Sequence, residues 1–279
     1  MTVLIVGGSG FLGAELARQG HAAGRQTAAT FHSHPGEIAG VTWHRLDLRN
    51  PASVREMLDA VSPTAVVNAS SGGSEWAVTA EGGIRLAQAA AQRGIRLVHV
   101  SSDAVFSGRR HDQYDETCLP DPVTPYGAAK AAAETAVRLL SEGAVVARTS
   151  LIIGDGRSEH ERMVHALVAG MRDGALFTDD VRCPVHVGDL ACALWELTLS
   201  DVAGVFHLAG PDAVTRHELG TLVAQRDSLD ASLLPTARRA DSGLPGALRV
   251  HLDSRVSQNC LATRLRGARE FLRRQDPSC

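Results

Sequence analysis

The first thirteen residues run from an apolar strand through a glycine-rich turn into a helix, and few folds accept that order. Val3-Leu4-Ile5-Val6 is an apolar run of strand length. Gly7-Gly8-Ser9-Gly10-Phe11-Leu12-Gly13 follows at once, and a helical stretch, Phe11–Ala23, opens inside it. The glycines are spaced G-x-x-G-x-x-G. Such a turn lets the backbone approach a phosphate closely, and the helix N-terminus offers unbonded N–H groups to a pyrophosphate. The arrangement predicts the first βα unit of a dinucleotide-binding sheet, with Gly7, Gly10, Phe11, Leu12 and Gly13 along the cofactor.

The pattern continues. Strand-length runs at Thr27–Phe31, Ala65–Asn68, Leu97–Ser101 and Ala144–Thr149 alternate with helical stretches at Ala52–Ala60, Ala77–Arg93 and Pro125–Leu140. A further strand is expected just before Leu46-Asp47-Leu48. Alternation of this kind predicts an α/β fold, a Rossmann-type doubly wound parallel sheet with helices on both faces. After Thr149 the pattern loosens into helical stretches at Glu159–Met171, Leu190–Leu199 and Arg216–Gln225 around one strand, Val205–Leu208. We read residues 1–150 as the dinucleotide-binding domain. Residues 151–279 are then mainly a smaller, mixed substrate lobe, with the strand near 205–208 returning to the first sheet.

The second strand ends in Phe31-His32-Ser33-His34, and the first acid beyond it is Glu37. Enzymes that take NAD usually carry Asp or Glu here for the ribose 2′-hydroxyl. A rim formed by His32 and Ser33 tolerates a 2′-phosphate better, so NADP(H) is favoured over NAD(H), although the sequence shows no Arg at this rim. Asp47 and Leu48 are expected near the adenine. Ala69, Ser70 and Ser71, just past the fourth strand, are expected along the cofactor.

One position departs from the composition. Of 28 basic residues only Lys130 is a lysine, and it lies four residues after Tyr126, one of two tyrosines. Residues four apart share a helix face. A compact ammonium can bind ribose hydroxyls beside a phenol where a bulky guanidinium cannot. An adjacent cation should also lower the phenol pKa, making Tyr126 a general acid near neutral pH.

With these features in order, the chain resembles the extended short-chain dehydrogenase/reductase family, and within it the dTDP-4-dehydrorhamnose reductase group. Val100-Ser101-Ser102-Asp103-Ala104-Val105-Phe106-Ser107-Gly108 is similar to the group's S-T-D-Y-V-F-D-G signature. Pro125-Tyr126-Gly127-Ala128-Ala129-Lys130 follows its P-x-Y-G-x-x-K. Arg148–Gly154 follows its R-x-x-x-x-x-G, and Pro184–Ala191 its P-x-x-x-x-D-L-A. The resemblance implies catalysis by Ser102, Tyr126 and Lys130, with Ser102 orienting a carbonyl, Tyr126 protonating it, and Lys130 holding the nicotinamide ribose. It implies a NADPH-dependent reductase of a keto group on a nucleotide-activated sugar. Ala104 replaces the signature's aromatic and opens space beside the substrate, and Arg182 is a candidate diphosphate contact. Two alternatives stay open: a cofactor-binding regulatory subunit without turnover, as in the methionine adenosyltransferase beta subunit, and a nucleotide-sugar epimerase.

The bulk numbers exclude other classes. A net charge of −3 gives no nucleic-acid footprint, and no apolar run is long enough to span a bilayer. Five scattered cysteines with no C-x-x-C pair argue against a disulfide framework or a zinc site. His160 and His165 are five apart, so they diverge around a helix, and no metal is expected. His99 and His207 read as structural. The expectation is a cytoplasmic protein with a small-molecule substrate, no nucleic-acid or membrane partner, and a homodimer left open.

Overall fold

The computed structural model describes residues 1–109 and 113–274. Seven strands form the central sheet: β1 (Thr2–Val6), β2 (Gln26–Phe31), β3 (Thr42–Arg45), β4 (Ala65–Asn68), β5 (Arg96–Ser102), β6 (Val145–Thr149) and β7 (Gly204–Leu208). Their order is β3-β2-β1-β4-β5-β6-β7, and every pairing is parallel. The strand order reverses between β1 and β4. That switch point opens a crevice at the carboxyl ends of the strands, where doubly wound sheets bind ligands.

Both faces of the sheet are covered, so its strands are apolar throughout rather than alternating. Along β1, Val3 and Ile5 enter one core with α1 (Phe11–Ala22) and α6 (Val187–Leu199). Leu4 and Val6 enter the other with α2 (Pro51–Val61), α3 (Gly83–Ala91) and α4 (Pro125–Leu140). Helix starts are set by side-chain caps. Asn50 Oδ1 accepts from Ala52 N at 2.9 Å, and Thr124 Oγ1 from Gly127 N at 3.0 Å, each with proline at the first helical position.

A third core joins α5 (Glu159–Val168) and α7 (Arg216–Arg226) through Val164, Leu167, Leu219 and Val223. Three two-stranded ladders knit this part together: 152–153 with 185–186, 181–182 with 214–215, and 176–177 with 236–237.

Some boundaries differ from expectation. Ala77–Gly82 is a π-helical turn leading into α3, not its first turn. Helix α5 stops at Val168, before Gly170 with φ +63°. Helix α6 starts at Val187, three residues early, because His186 Nδ1 caps Gly188 N at 3.1 Å. Arg273 and Arg274 lie beyond the short helix Ala268–Phe271. Cys183, Cys192 and Cys260 are in no disulfide, and Cys279 lies outside the described residues.

The turn between β1 and α1 has no spare room. A Cβ on Gly13 would sit 2.1 Å from the Gly7 carbonyl oxygen. Gly13→Ala should therefore cost about 1–3 kcal/mol of stability, the range for forced overpacking. It should also weaken dinucleotide binding by pushing the helix away from the turn. Thermal melts with and without cofactor check this, and an unchanged melt would show that the turn yields.

Candidate active site

A cleft of about 890 Å³ runs along the carboxyl ends of the strands. Gly7, Gly10, Phe11, Leu12, His32, Asp47, Leu48, Ala69, Ser70, Ser71, Ser102, Ala104, Tyr126, Lys130 and Arg182 all line it. Two expected cofactor residues do not. Gly13 packs behind the turn. Ser33 is exposed beside the rim and meets His32 Nδ1 at 3.3 Å. No side chain caps α1, whose N-cap is Gly10, so its first-turn N–H groups face the cleft without a side-chain acceptor. Such N–H groups are the kind that hydrogen-bond a pyrophosphate.

At the adenosine end the structure supplies a group the sequence did not reveal. Arg49, two residues after Asp47, reaches back to His32 Nε2 at 3.0 Å and pairs with Asp47 at 2.9 Å. An arginine therefore does stand at the rim. It arrives from the loop after β3 rather than from β2, so the β2 sequence carries no sign of it. Arg49, through a side-chain hydrogen bond, is the first cause holding the Asp47 carboxyl at about 2. Asp47 is thus occupied by its neighbour. Arg49 also lies 3.7 Å from Glu75, in the loop after β4.

At the centre, Ser102 ends β5 and Tyr126 and Lys130 sit one turn apart on α4. The Ser102 and Ser71 hydroxyls act on the Tyr126 phenol, each favouring its ionised form. Ser102 Oγ also accepts from Ala104 N at 3.2 Å and donates to Asp103 Oδ1 at 3.3 Å. Asp103 Oδ2 in turn accepts from Ser150 Oγ at 2.6 Å. Lys130, 3% exposed, donates from Nζ to the Val100 carbonyl at 3.0 Å and the Ser70 carbonyl at 3.4 Å.

The electrostatics differ from expectation at Tyr126. Its pKa is raised, first by burial, with the Ser102 and Ser71 hydroxyls pulling the other way. The lysine cation was expected to dominate, but burial sets the direction and the Asp103 charge adds to it. Burial likewise brings Lys130 down to about 8, opposed by Glu134. At neutral pH the phenol is protonated and the amine charged.

At the far end Arg182 is spent on structure. Its guanidinium pairs with Asp180 at 2.7 Å, lies 3.6 Å from Asp103, and donates to the Val181 and Ala247 carbonyls. Arg216 stands beside it, 3.5 Å from Asp180 and 3.4 Å from His160 Nδ1. Arg239 completes the group, 2.8 Å from Asp180. Three guanidiniums share two carboxylates, so the cluster has an excess positive charge. Arg216 is the least satisfied of the three, and burial lowers its pKa. His160 is held neutral, at about 4, first by burial and then by Arg216. Arg216 and His160 both line the cleft, and nothing in their sequence neighbourhoods marks them. Among the described residues no group of His, Cys, Asp and Glu could hold a metal ion, and no helix is long and apolar enough to cross a membrane.

Comparison with known proteins follows the same lines. The RmlD substrate binding domain family matches residues 1–249. The chain is 32% identical over 228 residues to the dTDP-4-dehydrorhamnose reductase of Mycobacterium tuberculosis, covering 77% of this chain and 71% of that one. It is 32% identical over 200 residues to methionine adenosyltransferase 2 subunit beta of Bos taurus, covering 67% and 57%. It shares its fold with the dTDP-4-dehydrorhamnose reductase of Bacillus anthracis, solved with NADP, at a TM-score of 0.78, 20% identity and coverage of 97% and 95%.

The burial of Lys130 gives a signed prediction. Its folded pKa lies below the unfolded 10.5, so its charge opposes folding at neutral pH, and stability rises between about pH 8 and 10.5. That shift corresponds to at most ~3 kcal/mol. The lost hydrogen bonds take back about 1 kcal/mol each. Lys130→Met should therefore melt at a higher temperature than wild type at pH 7 while losing turnover. The advantage should shrink towards pH 10.5. Calorimetry across this range checks it, and a lower melting temperature at pH 7 contradicts it.

Proposed function

The chain belongs to the RmlD substrate binding domain family, and from that premise we propose that it reduces the keto group of a nucleotide-activated sugar, with NADPH as the preferred donor. The observation that carries this reading is that Ser102, Tyr126 and Lys130 line one cleft. NADPH, when bound, supplies the hydride. Ser102 orients the carbonyl oxygen, and Tyr126, kept protonated by its dry surroundings, delivers the proton as the alkoxide forms. Lys130 holds the nicotinamide ribose. A nucleotide sugar brings a diphosphate, and Arg216 is the guanidinium with donors to spare for it. Such a substrate and donor place the reaction in the cytoplasm.

The preference for NADPH rests on the rim at β2. No carboxylate follows Phe31 to claim a ribose 2′-hydroxyl, and Arg49 with His32 offers two donors to a 2′-phosphate. Arg49→Ala should weaken NADPH binding by about tenfold, the lower end for hydrogen bonds to charged groups, since the site is exposed. NADH binding should barely change. Fluorescence titration with both cofactors separates the outcomes, and an equal loss for both would remove Arg49 from 2′-phosphate recognition.

The similarity to a methionine adenosyltransferase beta subunit favours a second reading, a cofactor-binding subunit without turnover. Steady-state NADPH oxidation with dTDP-4-keto-6-deoxy sugars, without any partner protein, decides between them. Wild type should turn over, and Tyr126→Phe should lose two to four orders of magnitude, roughly the range for a positioned acid, with cofactor affinity retained. Absence of wild-type turnover on every such sugar would favour the second reading.

A further inference from the structure

Beneath the cleft, Glu134 and Arg148 form a buried ion pair that proton delivery by Tyr126 does not use. Tyr126, Lys130 and Glu134 follow one another at intervals of four along α4, so they share the face turned to the sheet. Glu134 is 1% exposed, and Arg148, on β6, is equally buried. The Glu134 carboxylate accepts from Arg148 Nη2 at 2.9 Å and from Nε at 3.2 Å. Arg148 is fixed in turn by Nη1 donating to the Cys118 carbonyl at 3.1 Å and by its guanidinium lying 5.0 Å over the Phe106 ring. The carboxylate is thus held still.

Lys130 has the opposite surroundings. Its hydrogen-bond acceptors are backbone carbonyls of β5 and of the loop after β4. From β5 it also faces His99, which burial, and secondarily Lys130 itself, holds neutral at about 3. On its own helix it faces Tyr126, a neutral phenol, and Glu134. Of these groups only Glu134 opposes the loss of its proton. From β6 the nearest charge is Arg148, already matched by Glu134.

We propose that Glu134, locked in place by Arg148, is a positioning residue for reduction: it keeps Lys130 protonated in a dry pocket and so sets the alkaline limit of turnover. The inference rests on the reductase reading for its kinetic consequence, but its electrostatic core can be read without catalysis. Lys130 is the only lysine in the chain, so protein labelled with 13C at lysine Cε gives one side-chain resonance, which titrates with this group alone.

The experiment compares wild type with Glu134→Gln and with Glu134→Leu/Arg148→Met. The double variant removes the pair as a unit, a change folds often tolerate. Wild type should titrate near 8. Both variants should titrate lower by about one pH unit, the lower end for removing a nearby opposite charge. The single variant should shift further, because it leaves Arg148 unmatched. The alkaline limb of kcat/KM should move down by the same amount, with turnover retained near pH 6. A folded double variant with an unmoved resonance midpoint overturns the proposal, as does a moved midpoint with an unmoved alkaline limb in an active enzyme. Lack of wild-type turnover would instead refute the reductase reading and leave the midpoint comparison standing as its own result.

Discussion

Helix α4 reaches the end of β5 only because residue 127 has no side chain. A Cβ on Gly127 would lie 2.0 Å from the Ala104 carbonyl oxygen and 3.1 Å from Pro122. With nothing there, the first turn of α4 settles on the short 3-10 turn that follows Ser102. That contact brings the Tyr126 hydroxyl to Ser102 and, one turn further, drops Lys130 onto the Val100 carbonyl. The rest of the site is arranged around this docking. A helix lifted by even a methyl group would separate phenol from serine and let water reach the ammonium. The glycine after the tyrosine thus sets where the phenol and the ammonium sit.

The same burial acts on both ionisable groups, and it acts against charge. It raises Tyr126 and lowers Lys130. A reductase needs its phenol loaded with a proton before hydride arrives, so a pocket that resists phenolate suits that direction of reaction. The groups that favour ionisation of Tyr126 are the hydroxyls of Ser102 and Ser71, which are small, neutral and able to reorient as a substrate oxygen enters. Beside the phenol the cation is Lys130, where burial is opposed by a carboxylate one turn away.

Much of this was legible in the sequence, for reasons that can be named. The parallel sheet showed itself because strands buried on both faces read as unbroken apolar runs, as in Val3–Val6 and Ala65–Asn68. Tyr126 and Lys130 stood out because helical spacing puts them on one face. Arg49, Arg216 and His160 were not legible. Each enters the cleft from an element whose local sequence has no feature pointing there, and only the crossing of β3 beside β2, or the packing of α5 on α7, brings it in. Arg182 misled for a related reason. A basic residue beside a motif invites a ligand, yet its donors are consumed by Asp180 and by backbone carbonyls. Pair spacing within one element survives translation into three dimensions, whereas contacts between elements depend on topology.

The two arginine positions on the cleft differ in their surroundings. Arg49 is exposed and shares its charge with Asp47 and Glu75, so water and salt screen it. Arg216 belongs to a cluster organised around Asp180, a carboxylate fully removed from solvent. In that drier setting an unmatched guanidinium is costly to leave and rewarding to satisfy. The fold therefore places a solvent-screened guanidinium at one end of the cleft and a drier, less fully matched one at the other.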